Sequence, residues 1–180
     1  MRKTLLQKRV VLILVVSAVV ATSAFFLFQK KPSNQQSFRL ETVTSVINRN
    51  WEFPATERNG AAATTKLTFA LTNIEKTNQI YVKNKPIRTT PDKRFLVVSI
   101  ELKNDTDKRV YFYSSDYVRL AVGDGKKFEA DFKNPRFEVA PFSTKKDKLA
   151  FLVPGEDSTF ELQIGEIAGT KDDIPVKFEQ

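Results

Sequence analysis

The sequence predicts an all-β fold, one antiparallel β-sandwich or barrel, preceded by a single N-terminal transmembrane helix that acts as a signal anchor. Three observations lead to this prediction. An uncharged apolar run opens the chain, apolar and polar residues alternate through most of the remainder, and clusters of Asn, Asp, Gly and Pro separate the alternating segments. At 180 residues, the chain is long enough for one domain with its own core behind an anchor.

The anchor is predicted over residues 10–28, VVLILVVSAVVATSAFFLF. At 1.5 Å per residue, a helix of this length spans about 28 Å, close to the thickness of the bilayer's hydrocarbon core. Backbone polar groups inside a bilayer need partners within the segment, so the run should be helical. Four basic residues precede the run and two follow it, which by the positive-inside bias makes residues 1–9 a basic cytoplasmic tail.

A cleaved signal peptide is the alternative interpretation of the same segment. Ala21 and Ala24 offer small residues for cleavage, whereas Phe25–Phe28 continue the apolar run beyond them, which favours an uncleaved anchor. We therefore expect a single-pass protein of the cell membrane with an extracytoplasmic C-terminal domain. If the segment is cleaved, the domain is secreted instead.

The remainder divides into a stalk and a domain. Residues 29–50 are predicted to form a stalk, because they open with a polar, turn-prone stretch; within them, residues 38–47 fit a short helical face and a strand equally well. Residues 51–180 then form the sandwich domain. Five of its segments alternate as strands with one face in a core do. These segments are Leu67–Leu71, Leu96–Leu102, Val118–Val122, Phe160–Ile164 and Ile174–Phe178.

Turn sequences complete a pattern that resembles a known family. The strand before Asn104 ends in a charged turn, Tyr117–Leu120 runs into the turn Gly123–Lys126, and Pro154–Glu156 precedes a closing strand. Over about residues 65–165 this is similar to a family of bacterial extracytoplasmic domains of unknown function. The resemblance implies an immunoglobulin-like β-sandwich, similar to that of a secreted mycobacterial immunoprotective antigen, behind a lipoprotein signal or a membrane helix. Because the chain has no cysteine to carry a lipid, the helix is left as the anchor.

The charge distribution argues against nucleic-acid binding. The formal net charge is +8, but six of the 29 basic residues lie in the first 31 positions, where there is no acidic residue. The rest of the chain therefore carries 23 basic residues against 21 acidic ones. The basic excess belongs mainly to the flanks of the apolar run, and no nucleic-acid partner is expected.

The absence of histidine and cysteine excludes most catalytic and metal chemistry. No triad that needs an imidazole or a thiol is available, and no zinc or copper site of the usual ligands. Ser143-Thr144-Lys145-Lys146 matches S-x-x-K, but the partner motifs of that chemistry are missing, and a charged loop is expected there. Asp105 with Asp107 is interpreted as turn chemistry. We assign no catalytic, cofactor-binding or metal residue and expect no cofactor.

Two basic stretches are candidate binding surfaces. Residues 76–94 carry six basic residues against Asp92 alone, which suits anionic lipid heads or an anionic wall polymer. Residues 133–148 place phenylalanines among basic residues, which suits a protein contact or an interfacial one. The alternative for the first stretch is a solvated hairpin and loop, and the alternative for the second is a loop whose two phenylalanines cap the end of the sandwich. The residues assigned to a binding surface are Lys83, Lys85, Arg88, Lys93, Arg94, Arg136, Phe137, Phe142, Lys145 and Lys146.

The function expected from these observations is non-enzymatic. The chain is interpreted as a membrane-anchored binding or accessory module that presents its domain to an unknown envelope protein or to an anionic cell-wall polymer. The alternative is a structural protein that self-associates or supports an envelope complex, since the last 32 residues are acidic and a domain with two oppositely charged faces favours oriented association.

Overall fold

The computed structural model describes residues 38–123 and 125–178. The predicted tail over 1–9 and the predicted anchor over 10–28 lie outside these residues. Within the described part, no helix has the length and hydropathy of a membrane span.

The described residues form strands joined by turns, with one 3-10 helix, Ser114–Asp116. Alternating apolar side chains and the turn residues between them account for this content. The strands are β1 (Thr42–Thr56), β2 (Ala62–Thr77), β3 (Gln79–Val82), β4 (Lys85–Arg88), β5 (Lys93–Asn104), β6 (Val110–Phe112), β7 (Val118–Val122), β8 (Lys126–Phe128), β9 (Phe137–Val139), β10 (Ser143–Pro154), β11 (Thr159–Gly165) and β12 (Lys171–Lys177).

The strands pair in two large sheets and one hairpin. One sheet has six strands in the order β10-β5-β2-β1-β6-β9, the second has four in the order β12-β11-β7-β8, and among the described strands β3 pairs only with β4. Every pairing between these strands is antiparallel. The prediction of an all-β, antiparallel sandwich is therefore confirmed.

The main core consists of side chains from both large sheets. The predicted period of two is clearest in β5, where Leu96, Val98, Ile100 and Leu102 all lie in this core. Burying each such side chain contributes roughly 1.5–3 kcal/mol to the hydrophobic stabilisation.

A second, smaller cluster lies on the opposite face of β5. Phe95 and Val97 alternate with the core residues and meet Ala150 of β10, and Ile80 and Ile87 of the β3–β4 hairpin cover them. Phe132 adds an edge-on ring contact to Phe95, with ring centroids 5.5 Å apart. The hairpin is therefore fixed to the outer face of the six-stranded sheet by apolar contacts.

The predicted stalk boundary is wrong within the described residues. Strand β1 begins at Thr42, which pairs with Thr77, so residues 42–50 belong to the six-stranded sheet and not to a stalk. A register shift follows Val46, where Asn48 has a φ of 53°. Both Val43 and Val46 are exposed, which explains why their spacing did not distinguish a helix from a strand.

The charged loop predicted at residues 143–146 is also wrong, because these residues begin β10. Backbone pairing with β5 places Ser143 opposite Asn104 and Lys146 opposite Glu101. Residues 143–146 are therefore a strand because their backbone pairs with β5, which their polar sequence alone did not indicate.

The free edge of β10 is covered by the segment 131–134. Phe132 and Ala150 exchange two backbone hydrogen bonds of 3.0 and 2.9 Å. The carboxylate of Asp131 accepts a 2.7 Å hydrogen bond from the backbone N–H of Leu152, and Asn134 donates a 2.6 Å bond to Asp147. These contacts satisfy an otherwise unpaired edge and hold residues 131–135 beside the outer face of the sheet.

Candidate binding groove

The β3–β4 hairpin presents one apolar face to the sheet and one face to solvent. Ile80 and Ile87 are directly paired and pack on the smaller cluster. Tyr81 and Pro86 are the next pair and lie on the other face, where Tyr81 is 69% exposed. An aromatic ring with so much exposed surface is available for contact with a ligand.

The tip of the hairpin holds a lysine in a backbone conformation that lysine disfavours. Lys83 and Asn84 both have positive φ, 49° and 62°, which is the geometry of a type I′ turn. Asn tolerates this region, but a lysine there costs about 1–2 kcal/mol. Because Lys83 is exposed, this cost is not offset by burial of its side chain.

The hairpin groove is the space between the hairpin and residues 131–135, over the outer face of β2, β5 and β10, and it encloses about 660 Å³. Its floor includes Val97 and Ala150, Phe132 adds aromatic surface, and Tyr81 lies at its edge. Hydroxyl and amide groups are contributed by Thr42, Thr77, Gln79 and Asn134. This volume and mixture of groups are those of a site for a small molecule or a polymer segment.

Three lysines line the hairpin groove: Lys83, Lys133 and Lys148. Lys148 lies 3.8 Å from the carboxylate of Glu75, and Lys133 lies 2.5 Å from that of Glu129. The ammonium group of Lys133 donates a hydrogen bond to the carboxylate of Glu129, which raises the pKa of Lys133 and lowers the pKa of Glu129.

In the first predicted surface, some cations are exposed to solvent, and others form hydrogen bonds or ion pairs within the protein. Lys83 and Lys85 are exposed and make no ion pair with any described residue. Arg88 donates a 3.0 Å hydrogen bond to Gln79 across the hairpin. Lys93 is exposed at the start of β5. Arg94 is held by internal partners.

The guanidinium of Arg94 ties the chain before β1 to the start of β5. It lies 2.8 Å from the carboxylate of Glu41 and donates further bonds to the carbonyl oxygens of Pro91 and Lys93. Its charge also helps to lower the pKa of nearby Lys76, after the larger effect of burial. A ligand would have to displace these internal partners to reach Arg94.

The second predicted surface is mostly engaged in internal contacts. Arg136 donates to the hydroxyl of Thr56 at 2.6 Å and to the carbonyl oxygens of Glu57 and Arg58, and it lies over the ring of Tyr111 at 5.1 Å. It therefore clamps the turn between β1 and β2.

The remaining residues of the second surface differ in their exposure. Phe137 packs against the core, and the ammonium group of Lys145 lies 5.2 Å from its ring. Lys146 pairs with Glu101 at 3.2 Å. Phe142 is 73% exposed with a φ of 48°, and of these residues it presents the most apolar surface to solvent.

The geometry offers no support for serine–lysine catalysis. Ser143 and Lys146 are three residues apart on one strand, so they point to opposite faces. The hydroxyl of Ser143 donates to the carbonyl of Ala140 at 2.7 Å, and Lys146 pairs with Glu101. Among the described residues, no group of three metal-binding side chains is found, and Asp105 pairs with Lys103 at 2.9 Å.

Several residues of the hairpin groove were not assigned to a binding surface from the sequence. Tyr81 lies inside the apolar run Ile80–Val82, which suggested no exposed ring. Lys133 and Asn134 reach the groove only because Asp131 and Phe132 bind to β10. The one available signal was the absence of acidic residues between 76 and 91.

Comparisons with known proteins give a family and a fold but no activity. A family model described as a domain of unknown function (DUF4352) matches residues 58–174. None of the curated proteins matches this chain.

Two solved structures are similar to this chain. One is a conserved hypothetical protein from Bacillus anthracis, with a TM-score of 0.50 at 12% identity over 77% of this chain and 99% of that one. The other is an uncharacterized β-sandwich protein from Clostridium difficile 630, with a TM-score of 0.49 at 17% identity over 73% and 92% of the two chains. At these identities the first likeness supports a shared fold and nothing beyond it.

Proposed function

This protein belongs to the DUF4352 family, and we propose that it is a non-catalytic binding module outside the cell, whose hairpin groove binds an anionic cell-wall polymer. The observation that carries the proposal is the exposed ring of Tyr81 beside a groove lined by Lys83, which makes no ion pair with any described residue. Lys133 and Lys148 also line the groove, each beside a carboxylate, that of Glu129 and that of Glu75. Hydroxyl and amide groups complete the lining. This combination suits a sugar or polyol chain that bears phosphate or carboxylate groups.

The turn at Lys83 supports the same proposal. A type I′ turn is most stable with Asn or Gly at this position, yet the chain places a lysine there. Strained positions of this kind are concentrated at functional sites. The cationic side chain at the tip is the property that an anionic partner would use.

The membrane anchor belongs to the proposal as well. Residues 10–28 would hold the domain at the outer face of the cytoplasmic membrane, within reach of the wall. The immunoglobulin-like topology and the likeness to the mycobacterial antigen also remain predictions. Protease treatment of intact protoplasts that express a C-terminally tagged chain tests the topology. Loss of the tag from a membrane-bound chain is expected, and a protected tag would contradict the anchor's orientation.

Binding is tested with the full-length chain in mild detergent. The probe is poly(glycerol phosphate), and dextran of similar length is the neutral control. Because the proposed contacts are electrostatic and exposed, affinity for the polyanion should fall steeply between 50 and 300 mM salt, whereas dextran should bind weakly or not at all. Equal binding of the two polymers would overturn the electrostatic part of the proposal.

Substitutions then locate the binding site. Each of Lys83→Asn and Lys85→Gln should weaken binding about fivefold, since one basic group near an anionic surface contributes about 1 kcal/mol. Lys66→Gln is the matched control, because Lys66 is exposed at the opposite end of β2. If Lys66→Gln weakens binding as much as Lys83→Asn does, the attraction is diffuse and the hairpin groove is not the site.

A further inference from the structure

A second groove lies beside the β7–β8 hairpin and has the opposite charge. We define it as the acidic groove: about 940 Å³, bordered by β7, β8, the end of β10 and β11. It is separate from the hairpin groove, although Asp131 lies on the rim of both. The proposed function makes no use of it.

Exposed apolar side chains converge on the acidic groove. Val122, Phe128 and Leu152 line it and are 48%, 49% and 41% exposed. Leu120, Phe151 and Phe160 lie beneath them in the main core. Large apolar side chains that are half exposed and close together mark sites of contact with another molecule.

The charged residues that line the acidic groove are unbalanced. Four carboxylates line it, Glu129, Asp131, Asp157 and Glu161, against the single lysine Lys127. Glu129 is neutralised by Lys133, and Asp131 accepts a bond from an uncharged backbone N–H. Glu161 is exposed and makes no ion pair with any described residue. The carbonyl oxygen of Asp157 accepts a hydrogen bond from the ammonium group of Lys76. The described lining is still negative on balance, so it suits a cationic segment better than the anionic polymer proposed for the hairpin groove.

We propose that the acidic groove docks an extended polypeptide segment of a partner protein, in which basic residues alternate with aliphatic ones. The aliphatic side chains would cover Val122, Phe128 and Leu152, and the basic ones would reach Glu161 and Asp157.

The test uses the full-length chain in mild detergent and two synthetic peptides. The probe is a capped eight-residue peptide of alternating Lys and Val, and its control alternates Glu and Val. Fluorescence anisotropy should show that the Lys peptide binds, more weakly at higher salt, and that the Glu peptide does not. No binding of the Lys peptide, or equal binding of both peptides, would overturn the proposal.

Substitutions assign the binding to the acidic groove. Glu161→Lys should weaken peptide binding roughly fivefold, and Phe128→Ala about tenfold, as expected for an exposed charge and an aromatic contact. Glu52→Lys is the matched control, because Glu52 is an exposed strand residue on the six-stranded sheet. Equal losses from Glu52→Lys and Glu161→Lys would contradict a site at this groove.

Two further measurements separate this proposal from its alternatives. Lys83→Asn should leave peptide binding unchanged, so that failure at one groove is distinguishable from failure at the other. Sedimentation of the protein alone tests whether a second copy is the occupant. Self-association that Glu161→Lys abolishes, with no peptide binding, would replace the partner protein by a second copy of this chain.

Discussion

The two basic stretches, 76–94 and 133–148, have similar compositions but different roles in the structure. In the first, Lys83 and Lys85 extend into solvent at the tip of a hairpin. In the second, Arg136 is held by the turn between β1 and β2, and Lys146 pairs with Glu101. Basic and aromatic residues therefore indicate a binding surface only where their side chains are not already bound to other residues of the same protein.

The physical cause of the difference is the supply of acceptors near each stretch. The hairpin tip projects beyond its neighbours, and the chain has no acidic residue from 76 to 91. The second stretch folds against the β1–β2 turn and β5, whose carbonyl and carboxylate oxygens accept from its cations. Four substitutions test this comparison.

The largest expected effect is at Asn104, which fixes the loops beneath the second stretch. Its buried amide donates to the carbonyl oxygens of Lys108 and Ala140 at 2.7 and 3.0 Å, and accepts from the N–H and hydroxyl of Thr106. Asn104→Leu should lower the free energy of unfolding by about 3 kcal/mol, because four part-buried hydrogen bonds to a buried amide are lost together. Urea denaturation measures this loss. A change below 1 kcal/mol would show that the loops hold without the amide.

Arg136 should matter for stability and not for polymer binding. Arg136→Gln removes the bonds to the β1–β2 turn and the contact with Tyr111, and should cost about 1–2 kcal/mol in urea denaturation. Lys145→Gln is the control and should change stability by less than about 0.5 kcal/mol, because Lys145 is exposed. If Arg136→Gln leaves stability unchanged but abolishes binding of the polyanion, the roles of the two stretches are reversed.

Tyr117 packs against β1 from the core side, and we expect it to make the stability of the fold sensitive to alkaline pH. Its hydroxyl donates to the carbonyl of Pro54 at 3.1 Å, and its ring stacks on Phe53 and Phe112. Burial, followed by the charges of Glu166 and Asp116, raises the pKa of Tyr117 to about 12. The neutral form is thus favoured in the fold, so its contribution to stability is complete below pH 10 and is lost as pH rises from 10 to 12.

The check is urea denaturation of the wild type and Tyr117→Phe from pH 8 to 12. The variant should be about 1 kcal/mol less stable at pH 8, since it lacks the hydrogen bond. Its stability should fall less than that of the wild type above pH 10. Parallel curves would show that another group causes the alkaline loss.

The smallest expected effect has the opposite sign. Lys83→Asn should raise the free energy of unfolding by about 0.5–1 kcal/mol, because Asn adopts the left-handed backbone of the turn more readily than Lys does. The same substitution should weaken polyanion binding. A variant that is both less stable and weaker in binding would contradict the interpretation of Lys83 as a residue kept for its charge.

Much of the fold could be predicted from the sequence because its strands have one buried face. Leu96 and Ile100 follow the period of two without interruption, and Asn104 introduces the predicted turn. The start of β1 could not be predicted, because Val43 and Val46 are exposed and so do not show the alternation of a strand with one buried face. The residues 143–146 looked like a loop because their order comes from pairing with β5 and not from burial.

The site was predicted less completely than the fold. Lys83 and Lys85 were found because a local absence of carboxylates is visible in the sequence. Arg94 and Arg136 donate hydrogen bonds to backbone oxygens that folding brings near them. The composition of the sequence gave no indication of these contacts. Nor did it indicate that Asp131, 21 positions before Leu152, would bring Lys133 to the hairpin groove.

The most direct test of the central claim is to map the polyanion on the protein by NMR. Backbone amide shifts of the full-length chain in detergent micelles would be followed while poly(glycerol phosphate) is added. We expect the largest shifts at residues 79–88 and around Lys133 and Lys148, with little change at 136–146. Shifts centred on Arg136–Lys146, with the hairpin unchanged, would contradict the proposed site.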